Sequence, residues 1–415
     1  MIAPKYFRDD IDVLKNALLH RGEDPKIADD IMRMDMRVRE LKKKLDDLRK
    51  QRNEKGKLIP KLKKEGKDTE ELLSELKELA ETIKSYENEL ETLEEKLKNA
   101  LYRIPNIPHE SVPIGKDETE NRVISEYKGI EPLSQNPIPH WEIGEKLDII
   151  DLKVAANLSG SRFYLFKNFA AKLERALLNF FLKENEKKGY MEILPPYLVK
   201  EEILYGSGQL PKFRDELYKT QDDLYLIPTA EVPLANLHRN EILNEDDLPL
   251  KYMSFTPCFR REAGSYGKDV RGIIRLHQFH KVELFKFTTP EASYDELEKM
   301  REDAEDLLKK LNLTYHVVAL CTGDLGFSAA KTYDLEVWAP GVKRWLEVSS
   351  ISNTEDFQAR RTMTRFRRKG QKRPLYVHTL NGSGLATPRV FIAILETYYK
   401  DDGTIEIPDV LKEFM

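Results

Sequence analysis

The segment that decides the fold runs from Phe259 to Phe285 and reads FRREAGSYGKDVRGIIRLHQFHKVELF. Apolar residues that alternate as in strands separate its arginines, Arg260, Arg261, Arg271 and Arg275, which predicts a strand, a loop and a second strand. Such a strand–loop–strand unit would place the positive charge of the arginines over one of its surfaces, with the carboxylates of Glu262 and Glu283 beside it. Arginine suits a polyanion because its planar guanidinium group forms paired hydrogen bonds with phosphate or carboxylate. A charged hairpin with one solvated face explains the pattern equally well.

The composition limits the class of protein. A chain of 415 residues is expected to form two or three domains, each large enough for its own core. Charged residues make up 34% of the chain, yet the formal net charge is only −4. A surface for nucleic acid must therefore be a local patch rather than a property of the whole molecule.

The sequence predicts a cytoplasmic protein without a membrane segment. The amino terminus, MIAPKYFRDD, lacks the apolar run of a signal peptide. No segment approaches the roughly 20 apolar residues of a membrane span. The two cysteines, Cys258 and Cys321, lie far apart without a CxxC motif, and the eight histidines form no HExxH motif. We therefore expect a reducing compartment and no zinc site.

Residues 27–104 have the pattern of a long helical hairpin. Two narrow apolar seams are typical of a coiled coil rather than of helices in a globular core. Between them, Asp68 and Glu71 predict a capping-box start for the second helix. The short turn favours antiparallel arms of ~35 residues and ~50 Å, irregular near Gly56 and Pro60. The seam residues are Ile31, Met34, Val38, Leu41, Leu45, Leu48, Ile59 and Leu62, then Leu72, Leu76, Leu79, Ile83, Tyr86, Leu90, Leu93 and Leu97.

Charge separates the two arms of this hairpin. Residues 42–64 carry eleven Lys or Arg and three acids, whereas residues 65–98 carry twelve acids and five bases. Opposite charges across the seam would favour antiparallel pairing, and the excess of positive charge also suits a phosphate backbone. The residues alone leave a nucleic-acid arm, a protein-binding arm and a spacer open.

Beyond the hairpin the pattern changes. Six prolines between Pro105 and Pro139 exclude a long helix and predict a linker that leads into the first strands of the next domain. From Trp141 on, many strand-like runs that do not alternate regularly with helices predict an α+β domain with a mostly antiparallel sheet. The expected helices are Arg162–Lys187, Glu291–Leu311 and Pro388–Tyr399.

A second polar cluster, NGSGLATPR, occupies residues 381–389. Gly382 and Gly384 would allow a close approach of the backbone, and Thr387 with Pro388 is a good helix start. Arg389 would then project from the first turn of a helix, whose amino end favours anions. An ordinary transition from loop to helix is the alternative.

Several motifs in this order resemble those of class II aminoacyl-tRNA synthetases, and in detail those of the seryl-tRNA synthetases of the common bacterial type. The resemblance covers essentially the whole chain. It implies a class II antiparallel sheet of six or seven strands flanked by helices, preceded by an antiparallel coiled-coil hairpin. The implied domains are a tRNA-binding arm at 1–104, a linker with first strands at 105–140 and a catalytic domain at 141–415. The motifs are GYMEILPPYLV (189–199), PTAEVPL (228–234), FRREAGSYGKDVRGIIRLHQFHKVEL (259–284), LEVSSISNTEDFQARR (346–361) and NGSGLATPR (381–389).

The resemblance also implies an activity. ATP and L-serine would form seryl-adenylate and pyrophosphate, and the seryl group would pass to tRNA(Ser), and to tRNA(Sec) where that is present, with release of AMP. Mg²⁺ is expected with ATP, and zinc is not. The enzyme would be a homodimer whose interface includes the motif at residues 189–199 (motif 1), and the hairpin would hold the long variable arm of the tRNA. Relatives that activate an amino acid without charging tRNA, and a coiled-coil scaffold without activity, are the competing classes.

Residue roles are carried over from the matching motifs. Arg260 and Arg389 are the expected catalytic residues, at the α-phosphate and the γ-phosphate end of ATP. The expected ATP site comprises Arg260, Arg261, Glu262, Arg275, Leu276, Phe279, Glu347, Val348, Ser349, Ser350 and Arg389, with Glu347 and Ser350 as the Mg²⁺ ligands. The expected serine site comprises Thr229, Ala230, Glu231, Glu283, Asn381 and Ser383. The expected tRNA contacts are Lys42, Lys43, Arg49 and Arg52, and the cluster from Arg360 to Arg373 either guides the acceptor end or is a solvated loop.

Overall fold

The computed structural model describes residues 1–263 and 271–415. The chain folds into two compact units. The hairpin unit comprises Ala3–Leu19 and Glu23–Ile104. The other unit, called the catalytic unit after the domain expected from the sequence, comprises Met1–Ile2, His20–Gly22 and Pro105–Met415. Residues 260–277 connect the two strands of the Phe259–Phe285 segment, and residues 264–270 of this predicted loop lie outside the described residues.

The hairpin unit is helical. Its helices are α1 (Lys5–Arg8), α2 (Ile11–His20), α3 (Lys26–Lys64) and α4 (Glu70–Tyr102). The predicted seam is confirmed: every predicted position in α4 is buried or partly buried, and Val38, Leu41 and Leu45 are buried in α3. Asp35 is a polar member of the seam, and its carboxylate accepts hydrogen bonds from Arg8 at 2.9 Å and lies 2.9 Å from Arg39.

Two local expectations for the hairpin were wrong. The start of α4 is not a capping box: Thr69 occupies the N-cap position, and the Asp68 carboxylate accepts from the Glu70 N–H at 2.9 Å. Helix α3 also continues without interruption through Gly56 and Pro60. Proline crowds the residue four positions earlier. That residue is Gly56, and the helix nevertheless remains continuous at both positions.

The catalytic unit is built on a sheet that has eight strands within the described residues, in the order β1-β8-β9-β10-β13-β7-β6-β2. Neighbours are antiparallel from β1 to β6, whereas β2 and β6 are parallel. The expected α+β fold is confirmed, with one strand more than expected because the two residues of β2 join the edge. The strands of this sheet are β1 (Arg122–Tyr127), β2 (Met191–Glu192), β6 (Leu250–Phe259), β7 (Gln278–Thr288), β8 (Tyr315–Ala319), β9 (Lys331–Ala339), β10 (Arg344–Asn353) and β13 (His378–Ala386).

Helices and two small sheets complete the catalytic unit. The small sheets pair β3 (Leu198–Lys200) with β4 (Leu224–Leu226), and β11 (Arg365–Arg367) with β5 (Ile242–Asn244) and β12 (Leu375–Tyr376). The helices are α5 (His140–Lys146), α6 (Leu152–Ser159), α7 (Phe169–Lys187), α8 (Glu201–Ser207), α9 (Glu231–Leu234), α10 (Ser293–Lys310), α11 (Phe357–Thr362) and α12 (Thr387–Tyr398). Residues of α7, α10 and α12 share one apolar core with the large sheet. No helix in the described residues is both long and apolar enough to cross a membrane.

The region around α12 differs from its prediction. Residues 381–386 belong to strand β13 and are not a loop. A Cβ atom on Gly382 would lie 2.9 Å from Ile351, and one on Gly384 would lie 2.8 Å from Leu284, so these glycines admit side chains of neighbouring strands. Every residue of α12 except Arg389 is buried. The predicted helix at Arg162–Lys187 also begins later, at Phe169.

Candidate active site

Two adjoining cavities of about 480 and 330 Å³ form one cleft over strands β6, β7, β10 and β13. The smaller cavity is lined mainly by these strands and by the start of α12, and the larger one extends towards α8. Both are lined by Gln209, Thr229, Glu231, Arg260, Glu262, Arg275 and Asn381. A small molecule bound at one end would therefore lie beside a molecule bound at the other.

Guanidinium groups are held in place along this cleft. The Nε of Arg260 donates to the Pro228 carbonyl at 3.3 Å, and its guanidinium carbon lies 5.2 Å from the centre of the Phe279 ring. Arg389, the one residue of α12 that is not buried, donates to the carbonyls of Ile274 at 3.3 Å and Glu347 at 2.8 Å. Both arginines are thus anchored by backbone carbonyls, which leaves their charge available to an anion in the cleft.

A third arginine lies opposite a carboxylate. Arg275 is 3.4 Å from the Glu262 carboxylate, and both side chains line both cavities. The pair places a hydrogen-bond acceptor and a cation at neighbouring points of the cleft, next to the aromatic ring of Phe279, which lines the smaller cavity. A flat heterocycle with an exocyclic amino group fits such an arrangement.

Carboxylates gather at the other end of the smaller cavity. Glu283 pairs with Lys281 two residues earlier on β7, and accepts a hydrogen bond from the Thr229 hydroxyl at 3.3 Å. Glu231, at the start of α9, accepts from the amides of Gln358 at 2.6 Å and Asn381 at 3.2 Å. Burial and then the negative charge of Glu283 raise the pKa of Glu231 to about 7. A bound cation would favour the ionised form of Glu231, so this end is suited to an ammonium group.

Side chains whose oxygen atoms could bind a metal ion lie at the smaller cavity. Glu347 and Ser350 on β10 line it together because a bulge between Glu347 and Ser349 resets the alternation of the strand. Asp334 on β9 lies opposite Ser350, and one of its carboxylate oxygens is buried without a hydrogen-bond partner among the described residues. Burial, and then the charge of Glu347, raise the pKa of Asp334 well above its usual value. Carboxylate and hydroxyl oxygens of this kind fit a hard cation such as Mg²⁺.

Comparison with known proteins identifies the family. Residues 1–108 match the family model for the seryl-tRNA synthetase N-terminal domain, and residues 212–398 match the tRNA synthetase class II core domain (G, H, P, S and T). The chain is 53% identical to the serine–tRNA ligase of Caldicellulosiruptor bescii over 416 residues, which cover 100% of this chain and 99% of that protein. The chain belongs to the seryl-tRNA synthetase family. The serine–tRNA ligase of Thermotoga maritima is 54% identical over 99% of this chain and 98% of its own length.

Solved structures of seryl-tRNA synthetases have the same fold. The enzyme from Pyrococcus horikoshii, complexed with ATP, gives a TM-score of 0.94 at 42% identity and covers 100% of this chain and 98% of its own. The cytoplasmic serine-tRNA ligase from Naegleria fowleri, in complex with AMP, gives 0.89 at 29% identity over 100% of this chain and 97% of its own. A prolyl-tRNA synthetase from Giardia lamblia, at 18% identity and a TM-score of 0.56, shares the fold of the core.

The structure brings most of the expected seryl-tRNA synthetase site residues to the cleft. Ala230 is the first exception, because it is buried in an apolar cluster with Phe285. Ser349 is the second, since it points away from the cleft and its buried hydroxyl donates to the Ser383 carbonyl at 2.6 Å. Arg261 is the third: it is exposed and lines neither cavity. Those that line the cleft are Thr229, Glu231, Arg260, Glu262, Arg275, Leu276, Phe279, Glu283, Glu347, Val348, Ser350, Asn381, Ser383 and Arg389.

The sequence reasoning missed three groups at this site. Lys281 lies on the same face of β7 as Glu283, and the period of two in the strand was the available signal. Gln358 stands in the quoted motif FQARR but was given no role, and Asp334 gave no signal before its pairing with Ser350 was known.

Arg361 of the 360–373 cluster is buried and donates to the carbonyls of Tyr205 and Leu210, both at 3.1 Å.

Proposed function

We propose that this protein attaches L-serine to tRNA(Ser) in two steps, with seryl-adenylate as the intermediate. Serine and ATP first form seryl-adenylate and pyrophosphate, and the seryl group then passes to the 3′ hydroxyl of the terminal ribose, with release of AMP. One observation carries the proposal: a single cleft joins anchored arginines and an aromatic ring to a small pocket with two carboxylates. The first end suits a nucleoside triphosphate, and the second suits a small amino acid.

The first step needs no nucleophile from the protein. The serine carboxylate attacks the α-phosphorus, and the pyrophosphate group leaves with its electron pair. On this proposal Arg260 would offset the negative charge that develops at the α-phosphate, and Arg389 would offset the charge at the far phosphates. Because carbonyl groups already hold both guanidinium groups, they need little reorganisation when the charge develops. Phe279 would stack on the adenine ring, with Glu262 near its amino group.

The carboxylate end supplies the contacts for serine. Thr229 and Glu231 would hold the ammonium group, and Glu283, with Ser383 and Asn381 nearby, would meet the hydroxyl. A site built to bind a hydroxyl rejects an analogue that lacks it by roughly four orders of magnitude, because buried polar groups are then left without partners. Alanine would be excluded on this basis, while threonine must be excluded by the size of the pocket.

Glu347 and Ser350 are the residues that would hold Mg²⁺, with Asp334 next to them. The ion would supply positive charge to the phosphate oxygens of ATP. Glu347 also meets Arg389, whose guanidinium lies 3.6 Å from its carboxylate. Glu347 would then interact with both the cation and the arginine proposed to face the far phosphates, and its negative charge would offset part of each positive charge.

The hairpin is the proposed contact for the long variable arm of tRNA(Ser), and for tRNA(Sec) where that exists. Lys43 and Arg52 are exposed on α3. Lys42 and Arg49 lie 2.6 Å from Glu94 and 2.8 Å from Glu87 on α4, so they also support antiparallel pairing. The excess of positive charge on residues 42–64 supports a phosphate ligand. On this proposal residues 1–104 are the tRNA-binding arm, 105–140 the linker with the first strand, and 141–415 the catalytic domain of a cytoplasmic enzyme.

Exposed apolar side chains near motif 1 support a homodimer. Met191 and Leu194, which both lie within residues 189–199, are 61% and 73% exposed. Large apolar groups exposed together are typical of protein interfaces. A two-fold axis near motif 1 would pair this surface with its copy.

Two measurements on the full-length protein test the proposal. Serine-dependent exchange of pyrophosphate into ATP reports the first step, and transfer of labelled serine to tRNA(Ser) reports the second. We expect both, with Mg²⁺ required and alanine inactive. Exchange without transfer would assign the protein to relatives that activate an amino acid for another acceptor, and the absence of both would favour a scaffold.

A further inference from the structure

Gln358 on α11 is buried beneath the serine end of the cleft, and it does not line either cavity. Its side-chain amide nevertheless connects four elements. The Nε2 group donates to the Ser207 carbonyl at the end of α8 at 2.9 Å and to the Glu231 carboxylate on α9 at 2.6 Å. The Oε1 atom accepts from the Thr379 hydroxyl on β13 at 2.7 Å.

The orientation of this amide is fixed by its partners. A carbonyl has no hydrogen to donate, so the group that faces Ser207 must be the Nε2 group. If the amide were turned over, Oε1 would face the Ser207 carbonyl and, whenever Glu231 is ionised, its carboxylate as well, so that acceptors would meet without a proton between them. The Thr379 hydroxyl holds the other side of the amide. Gln358 therefore presents an N–H to Glu231 whatever occupies the cleft.

The contact restrains Glu231 in two ways. Gln358 and Asn381 both donate to Oε1 of Glu231, which sets the plane of the carboxylate and directs Oε2 towards the cleft. The groups that face Glu231 are Glu283, whose negative charge raises its pKa, and Lys281, Gln358 and Arg260, which lower it. Removal of the Gln358 N–H would raise the pKa of Glu231 above about 7 and would also let the carboxylate turn.

We propose that Gln358 is a positioning residue for the amino acid, which acts through Glu231 and sets how strongly the cleft binds the ammonium group of serine. This inference rests on the proposed serine-activating function. It assigns a role in amino-acid affinity to a side chain that touches neither substrate. Loss of one charge-assisted hydrogen bond from a buried carboxylate reduces affinity by roughly 10- to 100-fold.

The test is Gln358→Met, which keeps the length of the side chain and removes its donors. In pyrophosphate exchange at pH 7 we expect the KM for serine to rise about 10- to 100-fold, with the KM for ATP within about twofold. The acid limb of kcat/KM for serine should also move to higher pH, because the Glu231 carboxyl would need a higher pH to ionise. An unchanged KM for serine, equal changes in both KM values, or an acid limb that does not move would overturn the inference.

Two further variants separate this role from stability. Thr362→Val removes a buried hydroxyl from the same helix. This hydroxyl donates to the backbone carbonyl of Gln358 at 3.1 Å and does not contact its side-chain amide. The KM for serine should therefore be unchanged. Thr379→Val removes the nearer of the two hydroxyl donors to Oε1, the other being Thr354 at 3.4 Å, and leaves the N–H to Glu231. A rise in the KM for serine of about threefold is therefore expected. A Thr362→Val variant that matched Gln358→Met would contradict the inference. If the wild-type protein showed no serine-dependent exchange, the proposed function itself would fail.

Discussion

The ion pairs that join the two long helices of the hairpin unit differ from a buried ion pair in the core of the catalytic unit. In the hairpin, Arg37–Glu89 and Lys42–Glu94 join α3 to α4 at 2.7 and 2.6 Å, and their side chains remain 43–54% exposed. In the catalytic unit, Lys286 is fully buried and its ammonium group lies 2.8 Å from the Glu296 carboxylate. Exposed pairs add little stability, whereas a buried charge that loses its partner is costly. The charges of these exposed hairpin pairs are therefore available to a ligand, whereas the charges of Lys286 and Glu296 are committed to the fold.

Removal of most of the hairpin gives the largest expected effect. A variant that lacks residues 42–96, closed by a short turn, should retain serine-dependent pyrophosphate exchange within about threefold. Charging of tRNA(Ser) should fall by on the order of 10³-fold, because many phosphate contacts would be lost. Pyrophosphate exchange and tRNA charging are measured on the same preparation of the shortened protein, so that the two activities can be compared directly. Normal charging by the shortened protein would refute the role proposed for the arm.

Arg260→Gln tests the anchored charge of the catalytic unit. Loss of a positioned group that stabilises transition-state charge reduces kcat by about 10²–10³-fold. The KM for ATP should change much less, since the effect falls on the charge that develops during the reaction. Steady-state pyrophosphate exchange measures both constants. Arg261→Gln is the matched control, because the neighbouring Arg261 lines neither cavity and its loss should leave kcat within about twofold.

Two leucine-to-alanine substitutions, one in each unit, compare how tightly the two units are packed. Leu284→Ala in β7 should reduce the free energy of unfolding by about 4 kcal/mol, and Leu41→Ala in α3 by about 2 kcal/mol, although both are fully buried. A two-helix seam is narrow and lets neighbouring side chains move into the space. Strand β7 has neighbours on both sides, so the cavity would persist. Chemical denaturation followed by circular dichroism measures both, and equal losses would show that the seam packs as rigidly as the sheet.

The smallest expected effect is that of Lys42→Ala on stability. Its pair with Glu94 is 54% and 44% exposed, so the unfolding midpoint should move by less than about 2 °C. The affinity for tRNA(Ser) should nevertheless fall, and its dependence on salt should weaken, because one phosphate contact is lost. A clear loss of stability with unchanged affinity would mean that this charge serves the hairpin alone.

The two units also differ in how far sequence predicts them. The seam of the hairpin followed from the spacing of apolar residues, because each of its contacts repeats the same local geometry. In the catalytic unit, the strands were predicted but their order was not. Strand β13 lies between β7 and β10, and no pattern within a single strand specifies such distant neighbours. The two-residue strand β2 is too short to have a pattern.

Within the site, single residues show what a linear motif cannot specify. A motif gives neighbours along the chain, whereas the cleft selects one side of a strand. Glu347 and Ser350 face it and Ser349 does not, because a bulge shifts the alternation by one residue. Ala230 lies between Thr229 and Glu231 in the chain and yet belongs to the core beneath them. These distinctions require the backbone geometry.

Arg389 stands on a helix whose other residues are all buried, and two carbonyl groups hold its guanidinium. A flexible surface arginine loses side-chain freedom when it binds an anion, at a cost of about 0.5–1.5 kcal/mol. Here that ordering has already occurred during folding. The association of a triphosphate with this end of the cleft should therefore carry a small entropy loss from the protein, and calorimetry of Arg389→Lys, whose ammonium group lacks the planar fork, would show a larger one.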